Sequence, residues 1–380
     1  MAVEGAFGLP PEEALKFFRR KGLVPSFSYQ DVQREEQVAA LAVAKMTDLD
    51  LLSDTKAEID RMLADGLTLA EAKKNLIPKL QAKGWWGKQV VTDPDTGKET
   101  VAELGSSRRL QTIFQTNLST AYAAGNWAQV VDNAKEAPYL MYDAILDDRT
   151  RPEHRAWSGT VLRYDDPWWD THTPPCGYNC RCSTVQMSSE ELDRRNLKPN
   201  EQAPPSPTRT VVNSRTGETF DVPQGVDAGF DYNPGKLSRD VRTAQVFADK
   251  VAGTDADLGA AAYQAVRSQL QPSIETMFGA WARIIFKGGT SGRRGGAAPE
   301  RKSQILGVMN PKELGFLKER GLSPVTAEIA VDEDALVNPQ SSHHHAAGEL
   351  LTQHEWETLP RAISNPEAVL FDSTTGHLVY

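Results

Sequence analysis

Three cysteines and one histidine carry the most legible chemistry in this chain. Cys176, Cys180 and Cys182 are its only cysteines, packed into a C-x3-C-x-C run, and His154 precedes them. An odd number of thiols this close together makes a poor disulfide framework and a good set of soft metal ligands. Tetrahedral zinc takes thiolate sulfur and imidazole nitrogen, commonly from a close-spaced group plus one distant residue. The expected centre is therefore zinc held by His154, Cys176, Cys180 and Cys182. Four protein ligands would make it structural, since catalytic zinc keeps a position for water. The alternative is a set of buried thiols beside a histidine. Hydrolytic chemistry is disfavoured: Glu153 adjoins His154, but no H-E-x-x-H arrangement is present. Arg149, Arg151 and Arg181 are expected to make ion pairs or fork contacts to carboxylates that tie the loop down, with phosphate contact as the alternative.

A second concentration of polar groups lies near the end of the chain. His343, His344, His345, His354, Arg361 and His377 fall within the last 40 residues. Histidine with arginine suits metal-independent RNA cleavage. There a base takes the 2′-hydroxyl proton, an acid serves the leaving oxygen and a cation stabilises the phosphorane. The candidates for such a site are His345, His354, Arg361 and His377. The competing reading is a solvated segment with a chance histidine run. Between them and the cysteines lies the Gly-rich basic stretch 288–298, which lacks the Lys-Ser/Thr ending of a phosphate-binding loop.

The elements that must position these groups follow from periodicity and punctuation. Pro11, Glu12 and Glu13 open a helix whose apolar positions are Ala14, Leu15, Phe17 and Phe18, with Gly22 after it. A helix begun by Asp31 is expected to run through Val38, Leu41 and Met46. Residues 53–63 and 68–80 read as helices, the second with a Thr68/Glu71 capping box. Trp85 and Trp86 are read as core anchors. Residues 90–100 read as a hairpin or an exposed loop, 108–135 as a long amphipathic helix, and 139–146 as a strand feeding the Asp148–His154 turn. Residues 183–187 form a strand and 188–192 a capped helix start. Residues 199–209 are Pro-rich and extended, and 210–232 contain a hairpin. Further on come a helix at 255–285, strands at 302–308 and 326–331, and helices at 311–320 and 350–362. Strands at 369–372 and 377–380 follow. The chain stops as that last strand begins, which suggests truncation or a sheet completed by a partner. The fold class is α+β. The expected domains are a helical module at 1–198 with the Cys/His knot at 148–182, a Pro-rich linker and hairpin at 199–240, and a smaller α+β domain at 241–380.

Charge narrows the partners. Lys and Arg number 42 against 51 Asp and Glu, a net charge of −9. A protein that wraps duplex DNA shows a basic face and a positive balance. DNA contact here is therefore expected to be local, through Arg293, Arg294, Arg301 and Lys302, with protein partners doing most of the holding. No run approaches the roughly 18–20 apolar residues that cross a bilayer, and the N-terminus lacks a secretory pattern. A soluble protein made in a reducing cytoplasm, with no membrane partner, is expected.

The run DDRTRPEHRAWSGTVLRYDDPWWDTHTPPCGYNCRC resembles the signature of the Mu-type phage head morphogenesis (protein F-like) family. D-x-R-T-x-x-x-H-x-x-x-x-G and P-P-x-G-x-N-C-R-C occur in family order and spacing. FFRRKGLVPSFSY, VAKMTDLDLL, GWWG, FQTNLSTAYAAGNW and VPQGVDAGFDYNPG are also similar to the family, so the resemblance spans about residues 12–236. It implies a minor structural protein of the tailed-phage head, made in the host cytoplasm and carried in the virion. It also implies partners among portal, major capsid and scaffold proteins, and possible contact with packaged DNA. Cys176 departs from the family, which often has another residue there, so Asp148 and His172 stand as alternative fourth ligands. Residues 300–380 weakly resemble toxin-like nuclease domains fused behind this module, without the later strands. Two rival functions follow: a carried ribonuclease, and a portal-proximal DNA-contacting protein.

Overall fold

The computed structural model describes residues 11–24, 26–31, 34–93, 97–215, 217, 219–288, 302–337, 351–374 and 377–380. The chain divides into two compact units, residues 1–238 and 239–380. Both mix helix and sheet, an α+β architecture.

The first unit begins with helices whose apolar stripes dictate their packing. α1 (Glu12–Arg19) buries Ala14, Leu15, Phe17 and Phe18. Gly22–Leu23 (β1) then pairs in parallel with Ala40–Leu41 (β2). The helix expected from Asp31 to Met46 is therefore only α2 (Arg34–Ala39). Leu41 O accepts from Val24 N at 3.0 Å, so a tertiary backbone bond replaces the helical one. α3 (Leu49–Ala64) is capped by Asp48, and α4 (Leu69–Ala82) carries the full Thr68/Glu71 capping box. A β3–β4 hairpin (Lys88–Thr92, Glu99–Glu103) leads to α5 (Ser107–Asp132). Leu110, Phe114 and Ala121 on α5 join Phe18, Leu52, Ile59, Leu76 and Leu80 in one core. α1 lies directly on α5 because residue 125 is glycine: a Cβ there would come within 2.9 Å of Ala14 N. Trp85 is 4% exposed, and its indole donates to Lys45 O at 2.7 Å, which makes it the expected core anchor.

The rest of this unit is a three-stranded antiparallel sheet of order β6–β5–β7. The central strand β5 is Tyr139–Asp143, flanked by β6 (Val161–Arg163) and β7 (Ser183–Met187). Alternation along β5 sends Leu140 and Tyr142 into an aromatic core, while Tyr139 and Met141 cover a small cluster around Met187 and Leu192. Two short helices, α6 (Pro152–Trp157) and α7 (Trp169–His172), interrupt the loops, and α8 (Ser189–Arg194) follows β7. A hairpin of β8 (Thr208–Val212) and β9 (Thr219–Pro223) comes next. Val226 and Phe230 beyond it are buried in the aromatic core.

The second unit holds most of α9 (Pro234–Ala252), which periodicity alone did not reveal, and α10 (Ala256–Gly288). Asn233 Oδ1 accepts from Gly235 N and Lys236 N at the start of α9, so the Asn-Pro pair was its signal. β10 (Ser303–Val308) pairs with β11 (Glu328–Asp332), and α11 (Pro311–Lys318) lies between them in the chain. α12 (Glu333–Val337), α13 (Gln353–Ser364) and the β12–β13 pair (Leu370–Asp372, His377–Val379) complete the unit. α13 packs on α10, where Arg283 meets Glu357 at 2.9 Å. No helix among the described residues is long and apolar enough to cross a membrane.

Candidate metal centre

A tight turn and a short helix aim His154 inward. After β5, Asp147 Oδ1 accepts from Arg149 N at 3.0 Å, and the Thr150 hydroxyl donates to Ile145 O. Pro152 then opens α6 with its fixed φ. His154 and Trp157, three residues apart, occupy the buried face of that helix. Their rings stack at 5.1 Å, and Trp157 meets the edges of Tyr142, Trp168 and His172. The cysteine loop approaches from the other side. Asn179 sits at φ 59°, a left-handed conformation that asparagine tolerates. Cys180 N donates to Gly177 O at 3.1 Å, and the C-x-C pair enters β7.

His154, Cys180 and Cys182 converge. Their ligand atoms lie within 4.8 Å of one another. His154 Nδ1 is 3.4 Å from Cys182 Sγ and 3.8 Å from Cys180 Sγ. A tetrahedral ion with bonds of about 2.1 Å to nitrogen and 2.3 Å to sulfur sets those atoms about 3.6 Å apart, so the spacing fits zinc. His154 Nε2 lies 3.0 Å from Gly225 O. Donation to that carbonyl places the proton on Nε2 and turns the Nδ1 lone pair toward the sulfurs, the outer hydrogen bond typical of ligating histidines. Cys180 titrates far below the ordinary thiol range, because the Cys182 thiol donates to it and His154 stands beside it. Cys182 is pushed up by the same bond. A metal held there would bind both sulfurs as thiolates and displace their protons.

Cys176 is not in that group. Its thiol is fully buried, lies 3.3 Å from His172 O and 3.8 Å from the Tyr142 hydroxyl, and burial pushes its pKa well up. It behaves as a small core residue among Tyr142, Trp168 and Trp169. Of the alternative ligands, His172 stacks on Trp168 at 4.4 Å and is held neutral by burial. Asp148 is exposed. The acidic residue that organises the turn is its neighbour Asp147, which takes Arg181 in a fork at 2.6 and 2.8 Å and titrates well below the carboxylate range because of that contact.

The second expected contact to a carboxylate is an ion pair, Arg151 to Asp227 at 2.8 Å through one guanidinium nitrogen. Asp227 also accepts from Tyr178 N, and its own N–H donates to Cys176 O. The stretch after β9 therefore closes over the cysteine loop through Gly225 and Asp227. Neither residue was picked out by its chemistry, though both lie in the VPQGVDAGFDYNPG stretch. Gly177 sits under the Arg151–Asp227 pair: a Cβ there would fall 2.3 Å from Asp227 Oδ2 and 2.4 Å from an Arg151 guanidinium nitrogen. In front of the cluster is a cavity of about 410 Å³. Arg108, Arg149, Arg151 and Arg181 line it together with His154, Cys180 and Cys182.

The histidines of the second unit form no comparable arrangement among the described residues. His354 and Arg361 are both exposed on α13, and His377 lies in β13. His343, His344 and His345 lie outside the described residues, as do the Gly-rich stretch from residue 289 onward and Arg293, Arg294 and Arg301. Lys302 is exposed.

A model of the family described as Phage Mu protein F like protein matches residues 56–185. The protein named "Putative capsid assembly protein F" of Escherichia phage Mu is 32% identical over 386 residues, covering 98% of this chain and 83% of its own length. The Mu-like prophage FluMu F protein of Haemophilus influenzae (strain ATCC 51907 / DSM 11121 / KW20 / Rd) is 30% identical, covering 90% of this chain and 83% of itself. No solved structure gives a significant match.

Proposed function

The chain belongs to the phage Mu protein F-like family, and from that premise we propose that it is a minor structural protein of a tailed-phage head, acting in capsid assembly near the portal. The observation that carries this reading is the similarity to the phage Mu F protein, which extends over 98% of this chain and so includes the second unit. The acidic balance supports protein partners, portal and shell components, over a DNA-wrapping role. The experiment is deletion from a producing prophage, with heads examined by electron microscopy and the tagged protein located on purified heads. Aberrant or missing heads, with label at a single vertex, are expected. Normal heads would overturn the assembly role, and label spread over the shell would overturn the portal location.

The same proposal assigns zinc to His154, Cys180 and Cys182 as a staple on the loops between β5 and β7. The support is the spacing of the three ligand atoms and the His154–Gly225 bond. Binding free energy at such a site is folding free energy. Elemental analysis should find about one zinc per chain, lost in both Cys180→Ser and His154→Ala, with a lower thermal midpoint on chelation. Protein that is metal-free as purified and indifferent to chelator would remove the staple and leave the head role standing on its relatives.

A further inference from the structure

The cavity in front of the metal cluster has a composition at odds with the rest of the chain. In a protein of net charge −9, four arginines line this one cavity and, among the described residues, no carboxylate does. Two of the four are neutralised from behind: Arg181 by Asp147 and Arg151 by Asp227. The other two are not. The Arg108 guanidinium has no hydrogen bond or ion pair among the described residues, while the Arg108 carbonyl accepts from the Thr112 hydroxyl at 3.3 Å. Arg149 is 78% exposed and reaches only 3.5 Å from Asp147, whose oxygens Arg181 already occupies at 2.6 and 2.8 Å. A divalent ion on Cys180, Cys182 and His154 would be neutralised by the two thiolates. What remains uncompensated around the cavity is two guanidiniums, with Gln111, Gln115, Thr112, Thr150 and Asn179 as neutral partners on the walls.

We infer that this cavity is a binding site for a phosphate-type dianion, which takes the fourth position of the metal and is clamped by Arg108 and Arg149. Three protein ligands leave one corner of a tetrahedron for an outside group. Cys176 does not supply it, being engaged with His172 O and Tyr142. An oxygen of the anion does. The charge match selects a dianion over a single carboxylate, because a phosphate monoester carries about two negative charges at neutral pH. Guanidinium forks supply the directional donors such an anion needs. This inference rests on the metal reading above and deepens it: the ion ties the loops together and also presents a phosphate-binding face.

The test uses the full-length protein with cobalt(II) in place of zinc, in buffer free of phosphate. Thiolate-to-cobalt absorption reports the metal, and the visible ligand-field bands report its fourth ligand. Inorganic phosphate should shift the ligand-field bands saturably while the thiolate bands persist, and acetate at equal concentration should not. Arg108→Glu and Arg149→Glu should keep the cobalt and weaken phosphate binding by about tenfold or more each. A short single-stranded oligonucleotide with a 5′-phosphate, compared with its 5′-hydroxyl form, separates the two sources. Tighter binding of the phosphorylated strand identifies a nucleic-acid end. Equal weakness of both, with inorganic phosphate still binding, identifies a free small anion. Cobalt bound with bands unmoved by about 10 mM phosphate, enough to fill any site of millimolar or tighter Kd, overturns the inference and spares the staple. A response unaltered in both arginine variants overturns the clamp. Failure to bind metal overturns the staple and this inference together.

Discussion

The bundle of α1, α3, α4 and α5 buries aliphatic and phenyl groups such as Phe18, Leu52, Ile59, Leu76 and Phe114. The region from β5 to Phe230 buries instead three tryptophans, Tyr142, Cys176 and two histidines. The bundle has long helices, so 3.6-residue periodicity alone can fill its core. The loop region has strands of three to five residues and helices of four to six. Such pieces cannot hold themselves together, and polar devices take over: the Arg181–Asp147 fork, the Arg151–Asp227 ion pair, the His154–Gly225 bond and the proposed metal. The bundle's stability is spread over many interchangeable contacts. That of the loop region is concentrated in a few atoms whose chemistry cannot be exchanged.

Four measurements would sharpen or break this contrast. The largest effect belongs to the bundle. Phe114→Ala should cost about 3–5 kcal/mol by chemical denaturation, from lost transfer energy and the cavity left behind. The cost should be the same with and without chelator, since distant sites add. A cost that collapses on metal removal would mean the two regions are one cooperative core.

The next effect belongs to the loop region and depends on pH. Burial among Trp157 and Trp168 lowers His172 from 6.5 to about 4. In the folded state it is neutral between those values, while the unfolded chain takes up a proton. Stability from this source is therefore complete above the unfolded pKa and is lost as pH falls toward 4. By pH 5 the loss should be about 2 kcal/mol. In metal-free protein, denaturation midpoints at pH 7 and pH 5 should differ for the wild type and converge for His172→Gln. An unchanged difference would assign the slope to other groups.

Gly177→Ala should cost about 1–3 kcal/mol, because its Cβ would collide with the Arg151–Asp227 ion pair. Adding Asp227→Ala should recover part of that cost. If the double variant is merely additive, the ion pair is not what glycine makes room for. The smallest expected change is Thr68→Ala, about 1 kcal/mol from loss of the capping box on α4. It should leave zinc content untouched. Lost zinc would show that bundle and loops share more than a chain.

How much of this was legible in the sequence differs between the same two regions. The Thr68/Glu71 capping box, the apolar face of α5 and the β3–β4 pairing followed from local rules. The helix through Leu41 failed because β1 offered that backbone a partner, which no local pattern encodes. The signal for α9 is its Asn233-Pro234 cap, which apolar periodicity does not register. In the site, His154, Cys180 and Cys182 were chosen by residue type and spacing, and the fold brings all three together. Cys176 was grouped with them by proximity in the chain, yet its thiol faces the aromatic core. Of the adjacent acids in the Asp-Asp-Arg-Thr turn, only geometry identifies Asp147 as the one that grips Arg181.

By itself the sequence determined the family, the α+β class, the helical first half and the supply of soft ligands. Each is carried by residue identity and short spacing, which need no tertiary partner to be read. Tertiary structure alone decided which three candidate ligands meet, which nitrogen of His154 faces the sulfurs and which carbonyl orients it. It also decided that four arginines separated in the chain wall a single cavity. Those outcomes depend on where distant segments such as Gly225 and Asp227 return. That return is fixed by the packing of Trp157, Trp168, Val226 and Phe230, whose collective fit no short stretch of sequence specifies.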